Sequence, residues 1–322
     1  MASPVRTFLE HHFLHFNSRE VVAAARAYEA HLAEGGTMFV SLAGAMSTAR
    51  IGRILSRMIR EGKVHGISCT GANLEEDIFN LLAAQEYEHV DWRNLSAADE
   101  QDLLERGMNR VTDVCIPETV MRAVEHRLLE AWRKGSEEGR RALPATYLFE
   151  LLDTEELTYQ VPASDSWMLA AKEMGIPVFT PGWEDSTLGN VLTAGVMSGK
   201  VQDYSCVMHG ARQMQELCEW YLTQSAAPGP APGFFQIGGG IAGDFAICAV
   251  PLLIQDLERD DVPLWGYFSQ ISDAVTSYGG YSGAPPNEKI TWGKLDIDTP
   301  RFMIQSDATI VAPLIFGFVL GD

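Results

Sequence analysis

A chain of 322 residues with 46% hydrophobic, 21% charged and 9% aromatic residues carries enough apolar material for a buried core, which excludes disorder as its main state. Its 24 Lys and Arg stand against 43 Asp and Glu, a formal net charge of -19, and a field of that sign repels phosphate backbones and anionic lipid. No nucleic-acid or membrane partner is expected, whereas a small cationic molecule would be attracted; an acidic surface also serves plain solubility.

Five cysteines (Cys69, Cys115, Cys206, Cys218, Cys248), widely spaced and without a C-x-x-C pair, argue against a disulfide framework and a structural zinc site, so no metal is expected. No apolar run approaches the ~20 residues of a membrane span. Glu10 and the histidines His11, His12 and His15 stand where a signal peptide would have its apolar centre. A cytoplasmic location is expected.

In chain order, Asn17 reads as the cap of a first helix, with Glu20 as capping-box partner and Gly35-Gly36 as its stop. The run Thr37 to Leu42, the glycine turn at Gly44 and helical periodicity through Ile51, Ile54, Leu55, Met58 and Ile59 give strand, turn, helix. Gly62 closes that helix and Val64 to Thr70 reads as a second, parallel strand. The same grammar recurs at 177–180, 204–208, 234–237 and 263–271, most of these separated by helical segments. The fold expected is α/β, a doubly wound, mostly parallel, Rossmann-like sheet in a single domain over 1–322, with an N-terminal helical arm at 1–36. Residues 85–145 read as a helix-rich insertion that includes a helix from Glu118 to Trp132. The Pro- and Gly-rich stretch 226–233 enters a strand directly and reads as a rigid surface loop.

Three elements could carry chemistry. Gly238-Gly239-Gly240-Ile241-Ala242-Gly243 satisfies G-x-G-x-x-G between a strand and a helix from Asp244 to Leu257, where backbone can approach a pyrophosphate, although such turns also serve tight packing alone. Cys69 to Asp77 places small residues at the end of a strand ahead of a helix with an acidic first turn. It could hold a ribose or a cationic group, or only complement the helix dipole, and the same duality covers Glu184 to Asn190. The loop Ser282 to Lys294 ends in Trp292-Gly293-Lys294, where a lysine in an apolar or cation-rich site can form a Schiff base beside an indole face that holds an alkylammonium. The histidines suggest an ordered arm rather than a metal site, and Cys69 lacks a local histidine partner.

These loops, in this order, resemble the deoxyhypusine synthase family, particularly its shorter bacterial branch of synthase-like proteins. The similarity covers roughly 37–84 and 164–320, on the anchors Leu42-Ala43-Gly44-Ala45-Met46, Thr70-Gly71-Ala72-Asn73-Leu74-Glu75-Glu76-Asp77, Gly175-Ile176-Pro177-Val178, Asp185-Ser186-Thr187-Leu188-Gly189, Gly238-Gly239-Gly240, Ser282-Gly283-Ala284 and Trp292-Gly293-Lys294. The resemblance implies a deoxyhypusine synthase type of sheet and an NAD-dependent aminobutyl transfer, in which spermidine is oxidised, the imine is captured by a lysine and the aminobutyl group passes to an acceptor amine. By matching position Lys294 would be the Schiff-base lysine, Trp292 a wall of the amine pocket and Glu288 the holder of a terminal ammonium. Gly44, Ala45, Thr70, Gly71, Ala72, Glu76, Asp185, Gly238, Gly239, Gly240, Ser282 and Asp307 would surround the cofactor. The family is typically a homotetramer with sites shared across a dimer interface.

Four positions depart from the family. Asn190 stands where an acid grips the polyamine, Asp244 where there is a histidine, Tyr281 where there is an aspartate and Tyr278 where there is another acid near the cofactor. The polyamine contacts at Asn190, Asp244 and Tyr281 are partly rebuilt, and Asp244 could restore one negative charge. The acceptor implied is a protein lysine, or a small diamine such as putrescine as in a homospermidine synthase. A catalytically degenerate NAD- and polyamine-binding protein is the rival from another class.

Overall fold

A computed structural model describes residues 3–153, 157–276 and 279–322. Tyr278 lies outside them. Nine strands are described: β1 Met38–Leu42, β2 Gly66–Cys69, β3 Glu88–His89, β4 Met108–Val111, β5 Val114–Pro117, β6 Val178–Phe179, β7 Gly233–Ile237, β8 Tyr267–Ser272 and β9 Arg301–Gln305. Six of them form one sheet in the order β6-β2-β1-β7-β8-β9, with every neighbouring pair parallel. The chain builds outward from β1 through β2 to β6 and then returns beside β1 to build β7, β8 and β9. The order therefore reverses between β1 and β7, the place where open α/β sheets leave a crevice beyond their carboxyl ends.

Burial on both faces explains why these strands read as unbroken apolar runs: all residues of β1, β2, β7 and β8 are buried. In-register Phe39, Phe234 and Phe268 stack across three strands at 5.7 and 6.1 Å between ring centroids. Such pairs add roughly 0.5–1.5 kcal/mol each beyond area burial. On the opposite face Phe235 meets Tyr28 of the helix Phe16–Ala33, whose hydroxyl donates to the Lys63 carbonyl at 2.7 Å.

Several expectations need correction. The first long helix is capped at His15, not Asn17, and it follows a separate helix, Pro4–His12. Asn17 instead turns its amide to β9, donating to the Gln305 carbonyl at 3.0 Å and accepting from the Gln305 N–H at 3.2 Å. The stretch 204–208 is no strand: Tyr204–Cys206 is a 3-10 turn opened by Asp203, and only Val207 makes a bridge, to Ala142. β9 was not anticipated. Residues 85–145 hold, besides helices Ala97–Glu105 and Glu118–Glu137, a three-stranded antiparallel sheet in the order β3-β5-β4. Two short strands of that sheet, largely exposed or half-buried, lack the apolar run that would have announced them. No described helix is long and apolar enough to cross a membrane.

Candidate active site

Glycine turns follow β1 and β7 on either side of the crevice. Gly44 and Gly240 both have positive φ, 58° for each, and nothing lies within 4 Å of where a Cβ would stand, so their backbone is open to a ligand. Gly239 has a different reason to be glycine: a Cβ there would meet the Ser282 Oγ at 2.0 Å, so it serves close packing against the turn Tyr281–Gly283. The helix after this turn starts at Gly240, which places Asp244 in its second turn rather than at its start. It ends at Ile247, and a short turn and a π-helical segment carry the chain to Asp256.

Beyond β2, Thr70 caps the helix Gly71–Ala83 and its hydroxyl donates to the Gly44 carbonyl at 2.7 Å, tying two strand ends together. A Cβ on Gly71 would meet Ser186 at 2.6 Å, so the loop after β6 packs directly on this helix start. The three acids expected in the first turn sit in the second, and all are buried. Glu75 accepts from the backbone of Thr187 at 3.2 Å and Leu188 at 2.9 Å; Asp77 accepts from the Ser166 hydroxyl at 2.5 Å and the Met168 amide at 3.1 Å. Both staple neighbouring helix starts. Glu76 differs, for one of its carboxylate oxygens has no partner among the described residues. Burial first, and then the Glu75 charge, push its carboxyl up to about 8, against an amide from Thr48; burial pushes Asp77 up to about 6.

Past β7 and β8 lies a cavity of about 560 Å³ lined by Asp244, Tyr281, Glu288, Lys289, Trp292 and Lys294, among others. Lys294 is only 6% exposed, and its Nζ donates to Asp244 Oδ1 at 3.1 Å. It lies 5.6 Å from the centre of the Tyr281 ring and 5.9 Å from that of Trp292, within reach of both π faces. Trp292 itself is 62% exposed and forms an open rim. Tyr281 donates its hydroxyl to Gln236 on β7 at 3.1 Å, so the phenol is anchored in the sheet. This cavity can pair an ammonium with a carboxylate and present a lysine to an electrophilic carbon.

Not every candidate converges here. Trp292, Glu288, Asp244, Tyr281 and Lys294 share the cavity; Asn190, exposed on the helix Thr187–Met197 after β6, does not line it within one chain. Asp185 is exposed in the preceding turn. Asp307 caps the helix Ala308–Leu320 by accepting from the Thr309 amide at 2.7 Å. Burial pushes the Cys69 thiol up to about 12, which leaves no thiolate for nucleophilic work.

The sequence pattern of the deoxyhypusine synthase family matches residues 10–319. The chain belongs to the deoxyhypusine synthase family. A Methanosarcina acetivorans protein, named "Probable deoxyhypusine synthase 2", is 27% identical over 303 residues, covering 93% of this chain and 81% of its own. A "Deoxyhypusine synthase-like protein" from Nostoc sp. is also 27% identical, over 98% of this chain and 80% of its own. Among solved structures, one from Entamoeba histolytica, itself provisionally assigned as a deoxyhypusine synthase, superposes with a TM-score of 0.59 at 14% identity, over 98% of this chain and 91% of that one, which supports the fold.

Within this member of the deoxyhypusine synthase family, sequence reasoning missed one charged residue of the cavity. Lys289 is 3% exposed, and its neighbours in sequence, Glu288 and Ile290, give no periodic signal that it turns inward. Its burial follows from the single helical turn Glu288–Thr291, entered through Pro285 and Pro286.

Proposed function

We propose that the chain is an NAD-dependent alkyl transferase that moves an aminobutyl group from a spermidine-like polyamine to an acceptor amine through an imine on Lys294. The observation that carries this reading is the burial of Lys294 against Asp244 beneath Tyr281 and Trp292, in a cavity that also holds Glu288. Family membership supplies the reaction class. Asp244 and Glu288 provide the carboxylates a polyamine needs, and the Trp292 rim offers an indole face to its alkylammonium.

A dinucleotide fits the residues at the crevice. The open backbone at Gly44 and Gly240 could approach a pyrophosphate, and the unpartnered oxygen of Glu76 could accept from a ribose hydroxyl. Ala45, Thr70, Gly71, Ala72, Asp185, Gly238, Gly239, Ser282 and Asp307 complete the proposed surround. When bound, NAD supplies the hydride acceptor for oxidation of the amine. The chain's own residues position the donor, exclude water around Lys294 and hold the aminobutyl group until an acceptor arrives.

The acceptor is a protein lysine or a small diamine. A cytoplasmic homotetramer with sites at a dimer interface is in keeping with the exposed Trp292 rim and with Asn190 standing outside the cavity of its own chain. Incubation with spermidine and NAD, with and without putrescine, should release 1,3-diaminopropane and leave a lysine adduct trappable by borohydride. NAD binding without release or adduct would instead favour a binding protein, a reading to which Tyr281, tied to Gln236 in place of an acid, lends some weight.

A further inference from the structure

Gln236 on β7 and Gln270 on β8 are paired in register and fully buried, on the same sheet face as the stacked Phe234 and Phe268 that precede them by two residues. Two amides in such an apolar layer are costly unless their hydrogen bonds are met. Both nitrogens go to one place. Gln236 Nε2 donates to the Gly238 carbonyl at 3.1 Å, and Gln270 Nε2 donates to the same carbonyl at 3.2 Å.

Each amide can face only one way. The Tyr281 hydroxyl donates to Gln236 Oε1 at 3.1 Å, and Gln270 Nε2 also donates to the Ser282 carbonyl at 2.9 Å. A flipped amide would set its oxygen against carbonyl oxygens, which only accept. Gln270 Oε1 is left without a partner among the described residues, so this side chain forgoes one bond to keep its two donations. A Cβ on Gly243 would meet Gln236 at 2.8 Å, so the helix Gly240–Ile247 packs directly on the pair. Packing alone would be served as well by an apolar side chain of similar volume.

The glycine turn is thereby fixed at its first peptide. Gly238 donates its N–H to the Ile271 carbonyl at 2.7 Å, and its own carbonyl is drawn toward the two glutamines. In a trans peptide the C=O and the following N–H point in opposite directions, so the Gly239 N–H is turned away from the glutamines. Among the described residues it donates to nothing, although Gly239 is buried. A buried N–H without an acceptor is rare in a folded chain and marks a place for one.

We propose that Gln236 and Gln270 are positioning residues for the dinucleotide: by holding the Gly238 carbonyl beneath the turn, they aim the Gly239 N–H at an oxygen of its pyrophosphate. The inference rests on the dinucleotide reading above. The glutamines act through the single peptide between Gly238 and Gly239 and do not themselves touch the ligand.

The test uses the full chain, with NAD as the probe, in calorimetric titration and in amide hydrogen exchange read at Gly239. In the wild type, saturating NAD should slow exchange at Gly239 on the order of 10-fold or more. Gln236→Met and Gln270→Met keep side-chain volume but donate nothing. Each should weaken NAD binding about tenfold, the worth of roughly one hydrogen bond, and lose most of the protection at Gly239. Should either fail to fold, Gln236→Asn and Gln270→Asn, one methylene too short to reach the turn, carry the same expectation. Ser41→Ala removes a buried hydroxyl in register with Gln236 that has no partner among the described residues, and it should leave both measurements unchanged. Equal exchange at Gly239 with and without bound NAD overturns the proposal in the wild type alone. So does unchanged NAD affinity in a folded glutamine variant, or an equal loss in Ser41→Ala. A wild type that binds no NAD overturns the dinucleotide reading itself.

Discussion

Two clusters of buried charge stand at the carboxyl ends of the same sheet, the acids on the helix after β2 and the lysines in the cavity after β8. In each, some groups are fastened and one is not. Glu75 and Asp77 are held by backbone amides, and Lys294 is held by Asp244; among the described residues Glu76 keeps one bare oxygen and Lys289 a bare amine. The fastened acids join helices together. A buried polar group without a partner is costly, so its persistence points to a use that is not architectural.

The comparison breaks most readily at Lys294. Lys294→Ala should lower polyamine-dependent turnover on the order of 1,000-fold and abolish the borohydride-trapped adduct, while circular dichroism stays unchanged. Removal of a fastened acid should show in stability instead. Asp77→Ala strands the Ser166 hydroxyl and the Met168 amide, and chemical denaturation should register a loss of about 2–4 kcal/mol. An equal loss from Glu76→Ala would erase the distinction drawn between the two acids.

Glu76 sharpens the contrast through pH. Its folded value of about 8 lies above the ordinary 4.5, so the folded chain binds this proton more tightly, and stability falls as pH rises from about 4.5 to about 8. Glu76→Gln cannot ionise. It should flatten that slope and raise stability at pH 8 by about 1–3 kcal/mol in thermal melts, while NAD affinity, read by titration, drops about tenfold. The smallest effect belongs to Thr70→Ala, which removes a helix cap and the bond to the Gly44 carbonyl for about 1 kcal/mol. Additivity of Thr70→Ala with Asp77→Ala would mark the cap as independent of the staple.

How far these regions could be read from sequence follows from the kind of signal each carries. β1, β2, β7 and much of β8 were visible because strands buried on both faces are apolar throughout. β9 escaped because three of its five residues are half-buried and it begins and ends on Arg301 and Gln305. Trp292-Gly293-Lys294 and the glycine turns were legible as motifs, and their family match placed them in context. Lys289 and the bare oxygen of Glu76 were not. Both depend on which way a side chain turns after tertiary packing, and the three consecutive acids at 75–77 look alike until their neighbours are known.

The clasp between Asn17 and Gln305 bears on how copies of this chain avoid one another. β9 is the last strand on its side of the sheet, and a free border of peptide groups invites a neighbour to zip onto it. The side-chain amide of Asn17 has the donor and acceptor of a peptide unit and already occupies both backbone groups of Gln305. A strand from another molecule would have to displace it before it could extend the sheet into a fibre at that point.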